Sequence, residues 1–201
     1  MERKGGELPY LIELHQEIRK YSIFGYKVIR DGTERISHFD WIGNLAWGFK
    51  IFSPINKFEL NELVSSLSIP VEYLSFLSIN NGLKLFYNSI SLAGYQNLSS
   101  SSRDMNDQPV DLRLYNIMQR SPLLSDGFFC LGVYGFDVSE IYMCLNTGEI
   151  VVANRRRAPM EILSRWPNFQ NFLITEFYRL QKLADERGYI KDMSLTLPRR
   201  S

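Results

Sequence analysis

The sequence predicts an α+β domain, on three observations. Apolar runs at 128–135 (FFCLGVYG), 140–145 (EIYMCL) and 149–153 (EIVVA) follow one another across turn-length gaps. An apolar stripe at helical spacing follows Asn168, and a proline-started apolar segment occupies 69–80. Helices, then a meander of antiparallel strands, then a closing helix is an α+β order.

Each element has a local cause. Pro9 starts a helix predicted to about Tyr21, with Leu11, Leu14, Ile18 and Tyr21 on one face. Segments 24–29 and 34–39 flank Asp31-Gly32, a hairpin turn. Gly43 and Gly48 argue against a continuous helix over 40–55, which is expected to enter the core irregularly. A second helix spans 57–67, with Phe58, Leu60, Leu63, Val64 and Leu67 apolar. Pro70 suits the first position of the next helix, where its missing N–H has no intrahelical partner. Tyr73, Leu74, Phe76, Leu77 and Ile79 crowd one face, and Asn81-Gly82 is expected to stop it in the left-handed region.

Residues 89–95 read as a strand and 112–120 as a short helix. Between them, 97–111 (NLSSSSRDMNDQPVD) is polar, Ser-rich and broken by Pro109. A loop this long is either functional or a disordered insertion. Asn146-Thr147-Gly148 turns the chain between the last two runs. Asn168 caps a final helix to about Arg187, carried by Phe169, Phe172, Leu173, Phe177, Leu180 and Leu183.

Composition narrows the function classes. At 201 residues and 45% hydrophobic, the chain can bury a substantial core as one domain. A net charge of +1 carries neither a polyanion-binding signature nor acidic mimicry of nucleic acid. No segment approaches the roughly 20 apolar residues that span a bilayer. The charged N-terminus lacks the apolar run of a signal peptide, so the expected location is cytoplasmic, with no membrane or nucleic-acid partner. Cys130 and Cys144 sit in apolar strand-like sequence and are expected to be buried, reduced thiols.

Catalytic groups are sparse. His15 lies among Glu13, Gln16 and Glu17 and reads as a surface residue. His38 and Asp40 share one face of an extended segment, a candidate hydrolase pair, although no Ser or Cys motif adjoins them. Two cysteines 14 apart with no nearby His do not form a tetrahedral zinc set. Asp104, Asp107 and Asp111 fail the calcium-loop spacing, and Gly132–Gly135 lacks the features of a phosphate loop. No cofactor or metal is expected. Arg155, Arg156 and Arg157 either grip phosphate or carboxylates, or form an exposed turn protecting a sheet edge.

The helix at 57–67, Ile69-Pro70, Glu72-Tyr73, Phe76-Leu77 and Asn81-Gly82 precede the 90–94 strand, the 128–135/140–145 hairpin, Thr147-Gly148-Glu149 and the 169–173 helix start. In this order they resemble the SUKH superfamily, which includes yeast Smi/Knr-type cell-wall regulators and many bacterial toxin-immunity proteins. The resemblance implies a mostly antiparallel curved sheet flanked by N- and C-terminal helices. It covers 57–180 and leaves 1–56 as an extension of a single domain. Pro70, Tyr73, Phe76, Asn81, Gly82, Gly94 and Gly148 would be its structural motif. It further implies a non-enzymatic protein that binds another protein, as an immunity protein against a cognate toxin or as a regulatory scaffold for an endogenous enzyme. The near-neutral charge departs from the strongly acidic immunity members that suit a basic nuclease.

From the residues themselves, the expected partner surface joins the 99–111 loop to the hairpin after 134. The loop carries Arg103, Asp104, Asp107 and Asp111; the hairpin supplies Tyr134, Phe136, Asp137 and Glu140 as an aromatic and acidic patch. Arg155, Arg156 and Arg157 are the alternative surface, for an acidic partner.

Overall fold

A computed structural model describes residues 8–29, 31–37, 48–97, 108–119, 123, 127–154, 161–185 and 190–198. His38, Asp40, Arg103, Asp104, Asp107, Arg155, Arg156 and Arg157 lie outside the described residues.

The fold is α+β, built, among the described residues, on one open antiparallel sheet of nine strands in chain order. The strands are β1 (Tyr26–Val28), β2 (Glu34–Ile36), β3 (Phe49–Ile51), β4 (Leu83–Leu85), β5 (Ile90–Leu92), β6 (Phe128–Tyr134), β7 (Glu140–Cys144), β8 (Ile150–Asn154) and β9 (Glu161–Trp166). Tight turns make a meander possible. At the predicted first hairpin, Gly32 takes φ +90° and the Thr33 N–H donates to the Asp31 carboxylate at 2.9 Å. Gly148, at φ +75°, closes the β7–β8 turn.

Alternation along the strands sends one apolar face toward the helices. These are α1 (Pro9–Arg19), α2 (Lys57–Ser66), α3 (Val71–Leu77) and α4 (Phe169–Gln181). Phe49 of β3 meets Phe177 of α4 at 6.3 Å between ring centroids, and Trp166 of β9 meets Phe172 edge-on at 5.0 Å. Tyr73 and Phe76 of α3 both pack edge-on against Phe169. Such pairs add about 0.5–1.5 kcal/mol each beyond simple burial. Asn168 caps α4 as expected, accepting the Asn171 N–H at 2.8 Å. Asn56 and Glu59 form a reciprocal capping box on α2.

The structure departs from the sequence expectations in several places. Pro70 is the N-cap, with φ −55° and ψ 139°, and α3 begins one residue later at Val71. The helix ends at Leu77, so Asn81-Gly82 does not stop it. Gly82, at φ +93°, instead leads into β4, where a Cβ would lie 2.7 Å from the Leu92 carbonyl oxygen. β3 occupies part of the stretch expected to be irregular, β4 precedes the strand expected at 89–95, and β9 has no counterpart in the sequence expectations. The first two are only three residues long, too short for alternation to declare itself. Residues 9–51 supply α1 and β1–β3 to the same sheet and core. Cys130 is buried, but Cys144 is only half-buried, and both are free thiols. A hydrogen bond with the Thr147 side chain lowers the Cys144 thiol pKa.

His15 is half-buried rather than on the surface, and its Nε2 atom is fully buried. Burial, then the nearby Arg19 charge, lowers its pKa from 6.5 to about 4, while Glu34 and Asn80 act the other way. Between those two values the unfolded chain binds a proton that the folded chain does not. Stability is therefore full above about pH 6.5 and is lost as pH falls toward 4. The loss is at most about 3 kcal/mol. Urea unfolding at pH 7 and pH 4.5 should show a larger drop for the native protein than for His15→Gln. Equal drops would contradict the burial of the neutral ring.

Gly82→Val combines a left-handed backbone with a blocked Cβ position, and should cost at least about 2 kcal/mol. Chemical denaturation that finds it within about 0.5 kcal/mol of native, the range of ordinary surface changes, would rule out this geometry.

Candidate functional site

Asp111, the described end of the long polar loop, sits beside β5 and organises a cleft. The chain past β5 is held by the side-chain amide of Asn81. Its Oδ1 accepts the Tyr95 N–H at 2.7 Å, and its Nδ2 donates to the Tyr95 carbonyl at 2.9 Å. One amide thus copies the two hydrogen bonds of a neighbouring strand. This close approach requires Gly94, because a Cβ there would fall 2.5 Å from the Asn81 backbone carbonyl oxygen. Freed of a side chain, Gly94 pairs in parallel with Asp111: its N–H donates to Val110 O at 2.9 Å, and the Leu112 N–H donates to Gly94 O at 2.8 Å.

Asp111 then seats Arg113. The guanidinium donates from Nε to Oδ1 at 2.8 Å and from Nη2 to Oδ2 at 2.6 Å, a two-pronged pair. It also donates to Glu62 of α2 at 3.1 Å and to the Gln96 carbonyl at 3.2 Å. Its carbon centre lies 5.0 Å above the Tyr95 ring, a cation–π contact. The Tyr95 hydroxyl donates to Glu62 at 2.7 Å. Burial and that bond push the Tyr95 pKa up to about 12, so the hydroxyl stays protonated near neutrality. The Asp111 pairing raises the Arg113 pKa further above its ordinary value.

These side chains floor an open cleft of about 560 Å³. Its mouth is formed by the helical turn Leu114–Met118, where Ile117 and Met118 are 41% and 75% exposed. Two carboxylates against one guanidinium leave the floor with a net charge of −1 (−2 from Glu62 and Asp111, +1 from Arg113). The floor is held by ion pairs and the rim is apolar, which suits a partner side chain that packs an apolar stem on Ile117 and Met118 and turns a cationic or hydrogen-bond-donating end to the floor.

The hairpin half of the expected partner surface changes. Tyr134 is fully buried, its hydroxyl donating to Glu176 Oε2 of α4 at 2.6 Å. Arg179 clasps the same carboxylate and donates to the Leu195 and Thr196 carbonyls at 2.8 and 2.6 Å, tying the C-terminal segment down. Glu140 is also buried, in a short hydrogen bond from Tyr142 two residues along the same face of β7. Neither Tyr134 nor Glu140 can touch a partner. Phe136 is exposed; Asp137 is half-buried and accepts from the Ser139 N–H and Asn154 Nδ2, each at 2.8 Å.

Asp111 and this hairpin tip are not adjacent. Ile90 pairs with Tyr134 near the tip, whereas Gly94 pairs with Asp111 four residues along the chain. That separation is about 13 Å at strand rise. The motif residues Pro70, Tyr73, Phe76, Asn81, Gly82, Gly94 and Gly148 all fall in caps, core or turns. Tyr73, for one, donates to the Ala93 and Leu131 carbonyls at 2.6 and 3.2 Å. The cleft residues Glu62, Tyr95, Arg113, Ile117 and Met118 were not singled out from sequence. Exposed apolar neighbours after an Asp-x-Arg pair are the one local signal that marks them.

Arg113→Lys keeps the charge but loses the planar fork and the stacking, and should destabilise by about 1–2 kcal/mol. The fluorescence of the Tyr95 surroundings, or its ring resonances, should shift as well. Unchanged stability would mean that the ionic floor does not hold the cleft.

No family model and no curated protein matches the chain.

Proposed function

We propose that this chain is a protein-binding protein of SUKH-like type, acting as an immunity protein that neutralises a cognate toxin by direct contact. The carrying observation is the cleft beside Tyr95, a pre-ordered ionic floor under the exposed Ile117 and Met118. A partner surface of roughly 800 Å² would centre there and occlude the toxin's active site or substrate path. Aliphatic anchors meeting a rigid pocket give binding energy without ordering cost, because the floor is already fixed by hydrogen bonds. The ordered resemblance along 57–180 supports the toxin as partner class. No helix among the described residues is long and apolar enough to cross a membrane.

Affinity capture from the native cell, with a test of whether the captured protein is toxic alone, identifies the partner. Burying the methionine side chain is worth about 1.5–3 kcal/mol. Ile117→Ser with Met118→Ser should then raise Kd at least about tenfold at unchanged folding stability. An unchanged Kd would place the interface elsewhere. A captured partner that is harmless alone would remove the immunity role.

A further inference from the structure

The first edge of the sheet is unusually adhesive. Among the described residues β1 is terminal in the strand order, and all three of its residues are exposed. Tyr26 and Val28 are 52% and 51% exposed, and Ile23 just before them is still more so. The Ser37 N–H donates to Gly25 O at 2.8 Å and the Ile29 N–H to Thr33 O at 3.0 Å, so Gly25 and Ile29 face β2. By antiparallel alternation Lys27 faces β2 as well, while the N–H and C=O of Tyr26 and Val28 point away from the sheet. Natural edges are blunted by charge, proline or a cover. Here the one charge is Lys27.

Lys27 also ends a row. The registers Lys27↔Arg35, Arg35↔Lys50 and Lys50↔Lys84 align four cations across β1–β4, on the face turned from Phe49 and α4. Arg35, Lys50 and Lys84 have interactions of their own within the chain. Lys27 is exposed at the open end. Like charges directly opposite one another are unfavourable in a sheet, so the edge favours an anionic neighbour.

We infer that β1 is a docking edge for an extended segment of a partner protein, adding antiparallel to Tyr26–Val28 with an acidic residue opposite Lys27 and apolar residues opposite Tyr26 and Val28. On that outer side Lys27 occupies the narrow, non-hydrogen-bonded pair, where side chains approach most closely. A second copy of this chain, paired through Tyr26 and Val28, would set Lys27 against its own symmetry mate, which excludes it as the occupant. The inference deepens the protein-binding reading by giving the partner's chemistry at a surface separate from the cleft. The Ile117 and Met118 variants leave it untouched, so failure at either surface is read independently.

The probe is a short capped peptide alternating valine and glutamate, compared with its valine–lysine counterpart on the full chain at neutral pH. The glutamate peptide should bind about tenfold more tightly and slow hydrogen exchange of the Tyr26 and Val28 amides. Val28→Pro removes an outward N–H while leaving the β2 ladder, and should weaken binding about tenfold. Lys27→Glu should reverse the peptide preference, and it decides the matter if Val28→Pro fails to fold. No binding, equal binding of the two peptides, or protection away from β1 would overturn the inference. So would self-association of the free protein that Lys27→Ala strengthens and that protects the same amides.

Discussion

A single amide side chain fixes the relation between the core and the cleft. Asn81 grips both backbone groups of Tyr95, and everything past β5 depends on where Tyr95 is held. The grip forces Gly94 to lie against Asn81, and a side-chain-free Gly94 can in turn receive Asp111. Asp111 then seats Arg113, which ties back to Glu62 on α2. The hydrogen-bonded links are worth about 1 kcal/mol each net, but leaving a buried partner unmet costs more. The chain of contacts is accordingly stiffer than the sum of its parts.

Polar groups elsewhere in the interior follow the same logic. Glu176 is buried, where an unpaired charge would be expensive. It is matched by the Tyr134 hydroxyl and by Arg179, whose remaining donors close on the C-terminal segment. Burial and the Glu176 charge raise the Tyr134 pKa well above its usual value, so it remains a donor. The network welds β6, α4 and residues 195–196 together, on the helix-covered face of the sheet. Tyr73 does the same for α3, β5 and β6 through two carbonyls. With these fixed, the aromatic layer of Phe49, Phe86, Phe169 and Phe177 packs in one arrangement.

How much of this was legible depended on element length and on local breaks in pattern. α1, α4 and β6–β8 are long enough for periodicity to show, and Asn168 and Asp31-Gly32 carry their chemistry in the side chain. β3 and β4 give three residues each and leave no period to read. Tyr134 was misplaced for a specific reason. Cys130 pairs with Tyr142 but Gly132 pairs with Ile141, so a bulge reverses the alternation of β6 and turns Tyr134 inward. The burial of Glu140 is not legible because a hydrogen-bond donor to its carboxylate, the Tyr142 hydroxyl, comes into view only once both are on one strand face. Asn81-Gly82 reads locally as a helix stop, but α3 already ends at Leu77. Its role is a long-range clamp on Tyr95, 14 residues on, which no local rule encodes.

The Asn81 side chain, rather than a strand, holds the backbone at Tyr95. Native-state hydrogen exchange of the Tyr95 amide tests it directly. Protection should match that of Leu92 inside β5 and fall at least about tenfold in Asn81→Ala, with Leu92 little changed. A Tyr95 amide that exchanges at loop rates in the native protein, or keeps full protection without Asn81, would contradict the account.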